Sequence, residues 1–202
     1  MGFFDADPAH EPPPEPEYRP PEWSQPPENV MPAAVALDAL VVRRDALAVW
    51  IADGLAYPTG LAFGIAVVLR HRPPPERRHR GWFLGPGEPG GPLFGAGFAD
   101  GRRTATDRAL RSRDGGPPEI ALGHRGGGGS DRQWHGRLWL WPLPPEGPLT
   151  FAFAWPEEGV EEVTVEVDSA PIRAAAARAV ELWPEERPQP PDAGGGGWTS
   201  YA

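Results

Sequence analysis

The chain has 202 residues, 29 of them Pro and 26 Gly, and its 19 basic and 28 acidic residues leave a net charge of −9. Cys is absent and every basic residue is Arg, so disulfides, thiol nucleophiles, thiolate metal sites, Walker-type phosphate loops and Schiff-base lysines are excluded. The acidic balance argues against specific binding of nucleic acid, whose phosphates need a basic surface. The charge is unevenly placed: residues 71–137 hold twelve Arg against seven acids, while both ends are acidic.

In chain order, residues 1–32 read as a disordered acidic tail, because repeated Pro removes backbone donors and neighbouring Glu residues repel. A folded domain over 33–183 follows. Val35 to Arg43 alternates Val35, Leu37, Ala39 and Val41 on one face, which predicts a strand. Residues 46–69 contain one charge, Asp53, and invite a membrane test. The turn Tyr57-Pro58-Thr59-Gly60 divides them, and Leu61, Phe63, Ile65, Val67 and Leu69 then alternate with small residues, so the pattern predicts a buried β-hairpin instead of a span. Residues 71–81 form a basic, Pro-rich loop. Asp100-Gly101 predicts a hairpin turn between Leu93–Ala99 and Arg102–Thr106.

A short strand is expected at 119–122, and Gly126–Gly129 then reads as a mobile linker. Trp134–Trp141, Leu149–Trp155 and Val163–Val167 continue the strand pattern. One helix closes the domain. Asp168 or Ser169 caps it, Pro171 sits in its first turn, and Ile172, Ala176, Ala179 and Trp183 make one apolar stripe. Residues 184–202 read as a second disordered tail carrying Trp198 and Tyr201. The fold class expected is mainly β: an antiparallel sandwich of immunoglobulin-like character with one C-terminal helix and disordered tails.

Motifs that carry chemistry are few. Gly85-Pro86-Gly87-Glu88-Pro89-Gly90 matches the spacing of a dinucleotide fingerprint, but its prolines forbid the helix that must follow. No His pair among His10, His71, His79, His124 and His135 has ligand spacing, and no Ser lies in a nucleophile elbow. No cofactor or metal is expected. His124, Asp131 and His135 flank the Gly-rich stretch and are the one grouping that invites an enzyme reading.

Gln133–Pro142 is the most unusual segment. Alternation places His135, Arg137, Trp139 and Trp141 on one strand face, opposite Trp134, Leu138 and Leu140. Two indoles and a guanidinium suit a binding hot spot. The competing expectation is that Trp139 and Trp141 pack under the helix against Ile172 and Trp183.

The strings Trp50-Ile51-Ala52-Asp53-Gly54-Leu55-Ala56-Tyr57-Pro58-Thr59-Gly60 and Trp141-Pro142-Leu143-Pro144-Pro145-Glu146-Gly147-Pro148-Leu149 resemble those of a protein family of high-GC Gram-positive (actinobacterial) bacteria with no assigned activity. The resemblance covers most of the domain and neither tail. It implies a bacterial, cytoplasmic setting and no site residues.

The function expected is a non-catalytic interaction module that binds another protein, without a membrane span. Its candidate contacts are Arg77, Arg78 and Arg80 of the basic loop, Arg137, Trp139 and Trp141 of the Trp-rich strand, and Trp198 and Tyr201 of the tail. The alternatives are a carbohydrate- or small-ligand-binding sandwich using the Trp139/Trp141 face, and the enzyme built on His124, Asp131 and His135.

Overall fold

Alternating apolar residues become strands in the computed structural model, which describes residues 20–72, 91–106 and 117–184. The strands are β1 (Val30–Met31), β2 (Ala33–Arg43), β3 (Leu47–Tyr57), β4 (Gly60–Leu69), β5 (Leu93–Gly97), β6 (Arg103–Ala105), β7 (Ala121–Ser130), β8 (Gln133–Trp141), β9 (Pro148–Trp155), β10 (Val160–Asp168) and β11 (Val180–Glu181), with one helix, α1 (Ala170–Ala176), before the last. They make a five-stranded sheet in the order β2-β3-β4-β8-β7, a four-stranded sheet β10-β9-β5-β6 and a two-stranded ribbon β1-β11. Every pairing is antiparallel. The protein is a mainly β, antiparallel fold with, among the described residues, a single α-helix near their C-terminal end and one 3-10 turn at Pro156–Glu158.

Period-two burial explains why the larger sheets face one another. On β4, Leu61, Phe63, Ile65, Val67 and Leu69 enter the core, and the opposite face carries Ala62, Gly64 and Ala66. From the other sheet come Phe94, Phe151, Phe153 and Trp155. Phe63 meets Phe151 at 4.9 Å between ring centroids, and Phe94 lies 5.2 Å from Phe153 and stacks on Trp134 at 6.2 Å. Each such side chain contributes about 1.5–3 kcal/mol on burial. A void of about 10 Å³ among Phe63, Phe94, Leu138, Phe151 and Phe153 is at the lower limit for one water. The interior there is filled by side chains.

Both predicted hairpins form. Tyr57 pairs with Gly60 across the Pro58-Thr59 turn, so residues 46–69 are two core strands. At Asp100-Gly101, Gly101 takes φ +90 and Asp100 accepts from the Arg102 backbone N–H and guanidinium. Among the described residues no helix is long and apolar enough to cross a membrane.

Three expectations need correction. First, Gly126–Gly129 is no linker; it completes β7, which pairs with β8 as far as Ser130 and Gln133. Glycine is a poor strand former by propensity, yet this strand lies so close to β8 that a Cβ on Gly127 would come within 2.5 Å of the His135 carbonyl oxygen. Close approach selects glycine here.

Second, the helix is shorter than its stripe. Ile172, Ala175 and Ala176 are buried, and Trp183 is 57% exposed. The helix closes with Ala177 N–H donating to the Arg173 carbonyl, and Arg178 N–H then turns back to Ala175. Val180 and Glu181 leave to pair with β1, so Trp183 never reaches the helical face. At the other end Ala170 N–H donates to Asp168 Oδ1 (2.9 Å), while the Ser169 hydroxyl donates to the Pro145 carbonyl (2.6 Å).

Third, residues 21–31 belong to the fold, whose unit runs Pro21–Pro184. Proline removes donors but leaves every carbonyl as an acceptor, and this segment is held mainly by its oxygens, as described below. The parts of the expected tails at 1–19 and 185–202 lie outside the described residues.

Candidate functional site

Strand register arranges the outer face of the five-stranded sheet into rows. One row runs Leu40–Trp50–Ala66–His135–Gly128, each residue the direct partner of the next. A second runs Ala34–Leu55–Ala62–Trp139–Gly123. Between them lies Gly64–Arg137–Gly126. The middle strand, β4, offers only small side chains in these rows. Larger side chains on β3 and β8 therefore stand on either side of a low floor.

The Trp139 row is closed. Trp139 has no exposed surface, and it is covered from a direction the sequence did not indicate. Its ring lies over Gly60, where an added Cβ would come within 2.5 Å of the indole, and meets Tyr57 edge-on at 5.5 Å. The indole N–H donates to the Glu22 carbonyl at 3.1 Å. Arg125, on β7, donates to the Ser24 carbonyl at 3.1 Å and to Gln25 Oε1 at 3.0 Å. Residues 21–27 thus form a strap across this half, tightened by a turn in which Ser24 N–H donates to Pro21 O.

This corrects both expectations for Trp139. It is neither an exposed contact nor packed beneath the helix; the strap covers it. Trp141, one position of the same strand face further, is half-buried. An open two-indole platform for a sugar is not present on this strand.

Among the described residues the other half is open. Asp53 Oδ2 accepts from Arg137 Nη2 at 2.7 Å, with both side chains about half exposed. The carboxylate reaches Arg137 because β4 carries Gly64 between them: a Cβ there would overlap Asp53 Oδ1. The hydrogen bond from Arg137 holds the Asp53 carboxyl below its ordinary value. Arg137 Nη1 is screened from solvent and has no hydrogen-bond partner among the described residues. The nearby Tyr57 hydroxyl is shifted upward by burial. Beside the ion pair stand half-buried Trp50 and Leu40, the latter 53% exposed. His135 is exposed, its Nε2 2.6 Å from the Gln133 amide nitrogen.

The grouping His124, Asp131 and His135 does not converge. His124 stacks on Trp134 at 5.7 Å, on the core side of the sheet, and although it remains exposed the desolvation of its ring lowers its pKa. His135 follows Trp134 in the strand and so faces outward. Asp131, in the β7–β8 turn, pairs with Arg72 at 3.0 Å. Among the described residues no three His, Asp or Glu side chains are grouped to hold a metal ion.

Of the other candidate contacts, Arg77, Arg78, Arg80, Trp198 and Tyr201 lie outside the described residues, as does the Gly85–Gly90 motif. Sequence reasoning missed Leu40, Trp50 and Arg125. Trp50 was legible as a large residue in a strand, but a bulge between Ile51 and Gly54 decides which of its neighbours shares its face. No protein-family model, curated protein or solved structure matches this chain.

Proposed function

We propose that the protein is a non-catalytic interaction module that binds another protein on the open half of this sheet face. One observation carries the reading. A half-buried Trp50 and an exposed Leu40 adjoin the Asp53–Arg137 pair on a floor of small residues, with no strap across them among the described residues. Tryptophan, arginine and an apolar neighbour around a flat centre are the composition of a protein-binding hot spot. A filled interior in that part of the core favours surface recognition over enclosure of a small ligand.

In this reading Trp50 and Leu40 supply apolar contact, and Asp53 and Arg137 fix the partner's register with a half-exposed charge of each sign. Trp141 contributes at the border of the strap. The basic loop with Arg77, Arg78 and Arg80 adds a salt-sensitive contact, and Trp198 and Tyr201 a tethered one. The family resemblance supports a bacterial, cytoplasmic setting for such a module.

The test is affinity capture from the native cell with the wild-type chain, followed by direct binding measurements on the recovered protein. Trp50→Ala and Leu40→Asp are expected to weaken binding about tenfold or more, the loss expected at a hot spot, with the melting temperature lowered by no more than a few degrees. Undiminished affinity in both variants overturns the assignment of this face.

A further inference from the structure

We propose that the strap of residues 21–27 is the internal occupant of a peptide-docking groove, and that a proline-rich segment of another protein displaces it. The groove is built from Trp139, Tyr57, Gly60 and Arg125. Toward the strap it offers donors: the Trp139 indole N–H to the Glu22 carbonyl, and two Arg125 guanidinium nitrogens to the Ser24 carbonyl and Gln25 Oε1. An indole and a guanidinium cannot accept a hydrogen bond. A chain laid on them must bring oxygens, and any backbone N–H it turns toward them goes unanswered at a cost. Proline removes that N–H and keeps the carbonyl. The strap carries Pro21, Pro26 and Pro27, and its Ser24 N–H is answered internally by the Pro21 carbonyl. The chemistry of the groove therefore favours a proline-rich segment over an ordinary one. Aromatic-lined grooves are a recurring means of holding such segments.

The strap is held as a lid. No residue from 20 to 28 is buried or belongs to the core cluster, although the indole beneath has no exposed surface. It pairs with no strand among the described residues, where the three hydrogen bonds from Trp139 and Arg125 are the ones that join it to the sheet. Its remaining bonds are its own: the Ser24 hydroxyl donates to the Pro21 carbonyl at 2.7 Å, and Gln25 Nε2 to Glu28 Oε1 at 3.3 Å. Its base is fixed independently of the groove. The Leu182 N–H donates to the Asn29 carbonyl at 2.8 Å, and Asn29 Nδ2 donates to the Trp183 carbonyl at 3.0 Å. Residues 21–27 can therefore lift while Asn29 and β1 stay in place. Segments with few buried contacts open at the lowest free energy in a fold. A groove occupied from within then binds an outside ligand in proportion to the fraction of time it is open.

This groove is separate from the open half of the sheet face, and neither site depends on the other. The test is titration of the full chain with a fluorescent synthetic peptide that copies residues 20–28. Pro21→Gly, Pro26→Gly and Pro27→Gly together, made in the chain's own strap, are expected to tighten peptide binding about tenfold, because a more flexible strap with restored N–H groups fills the groove less well. The same replacements made in the peptide are expected to weaken its binding about tenfold. In the loosened chain Arg125→Ala should weaken binding by about tenfold or more, as two charge-assisted hydrogen bonds are lost, and Trp50→Ala should leave it intact. A loosened chain that binds the peptide no better than the wild type overturns the proposal, as does a proline-free peptide that binds as well as the native one. Loss of β3–β4 amide protection in the loosened chain also overturns it, since strap and sheet then open as one. So does dimerisation of the loosened chain in sedimentation velocity, which would assign the groove to the strap of a second copy.

Discussion

Trp139 and Trp50 stand on the same outer face of one sheet, on strands that flank β4, and meet opposite fates. Trp139 is sealed by a strap whose carbonyls satisfy its indole N–H and the Arg125 guanidinium. Among the described residues Trp50 has no such cover, and its row continues to an exposed Leu40. The alternation that places an indole on a face says nothing about what lies over it. Cover comes from a distant segment, here one more than a hundred residues away in sequence.

That contrast yields predictions of graded size. The largest concerns the two indoles themselves. Trp139→Ala is expected to cost about 3–5 kcal/mol, because it empties a closed site and leaves the Glu22 carbonyl without its donor. Trp50→Ala is expected to cost less than about 1 kcal/mol, as a substitution at a partly open surface. Chemical denaturation of both variants measures the difference, and equal losses would remove the distinction between the halves.

The floor comes next. Gly64→Ala places a methyl where the Asp53 carboxylate now lies, and overpacking of this kind costs about 1–3 kcal/mol. Here the ion pair can swing outward, so the expected loss is at the low end. The same change should bring the Asp53 titration back up toward the ordinary carboxylate range, which carbon-detected NMR reads directly.

Loosening the strap has an effect of similar size on global stability. Arg125→Ala removes two hydrogen bonds to residues 24 and 25 and should cost about 1–2 kcal/mol. Its signature is local. Amide exchange over residues 22–29 should accelerate while the β3–β4 hairpin keeps its protection. Uniform acceleration would mean that the strap and the sheet open together.

The smallest effect is one of pH. Arg137 lowers the Asp53 pKa in the fold, so its contribution is present above the unfolded carboxylate value of about 3.9 and is lost as pH falls through the folded value. Asp53→Asn should therefore flatten the acid side of the stability profile and leave the neutral region alone. Solvent screening of a pair this exposed keeps the change small.

Much of the fold was legible because alternation is a local signal. The β3–β4 hairpin, the Asp100-Gly101 turn and the Val163–Val167 strand follow directly from residue spacing. What escaped depends on distant partners. Gly126–Gly129 looks like a linker until β8 is beside it, and Trp183 looks helical until β1 draws Val180 and Glu181 away. Pro20–Pro27 looks like a free tail because proline density describes lost donors and not available acceptors. Of the site, Arg137 and Trp139 were placed on the correct face. The Asp53 partner was not foreseen, since it sits across β4 and depends on Gly64 and on a bulge in β3.

Hydroxyl-radical footprinting of the tryptophans, in the free protein and in its complex with the captured partner, tests the central claim most directly. In the free protein Trp50 should oxidise readily while Trp139 stays protected beneath the strap, and partner binding should then protect Trp50. Equal oxidation of Trp50 and Trp139 in the free protein, or a Trp50 rate that the partner leaves unchanged, would contradict the account.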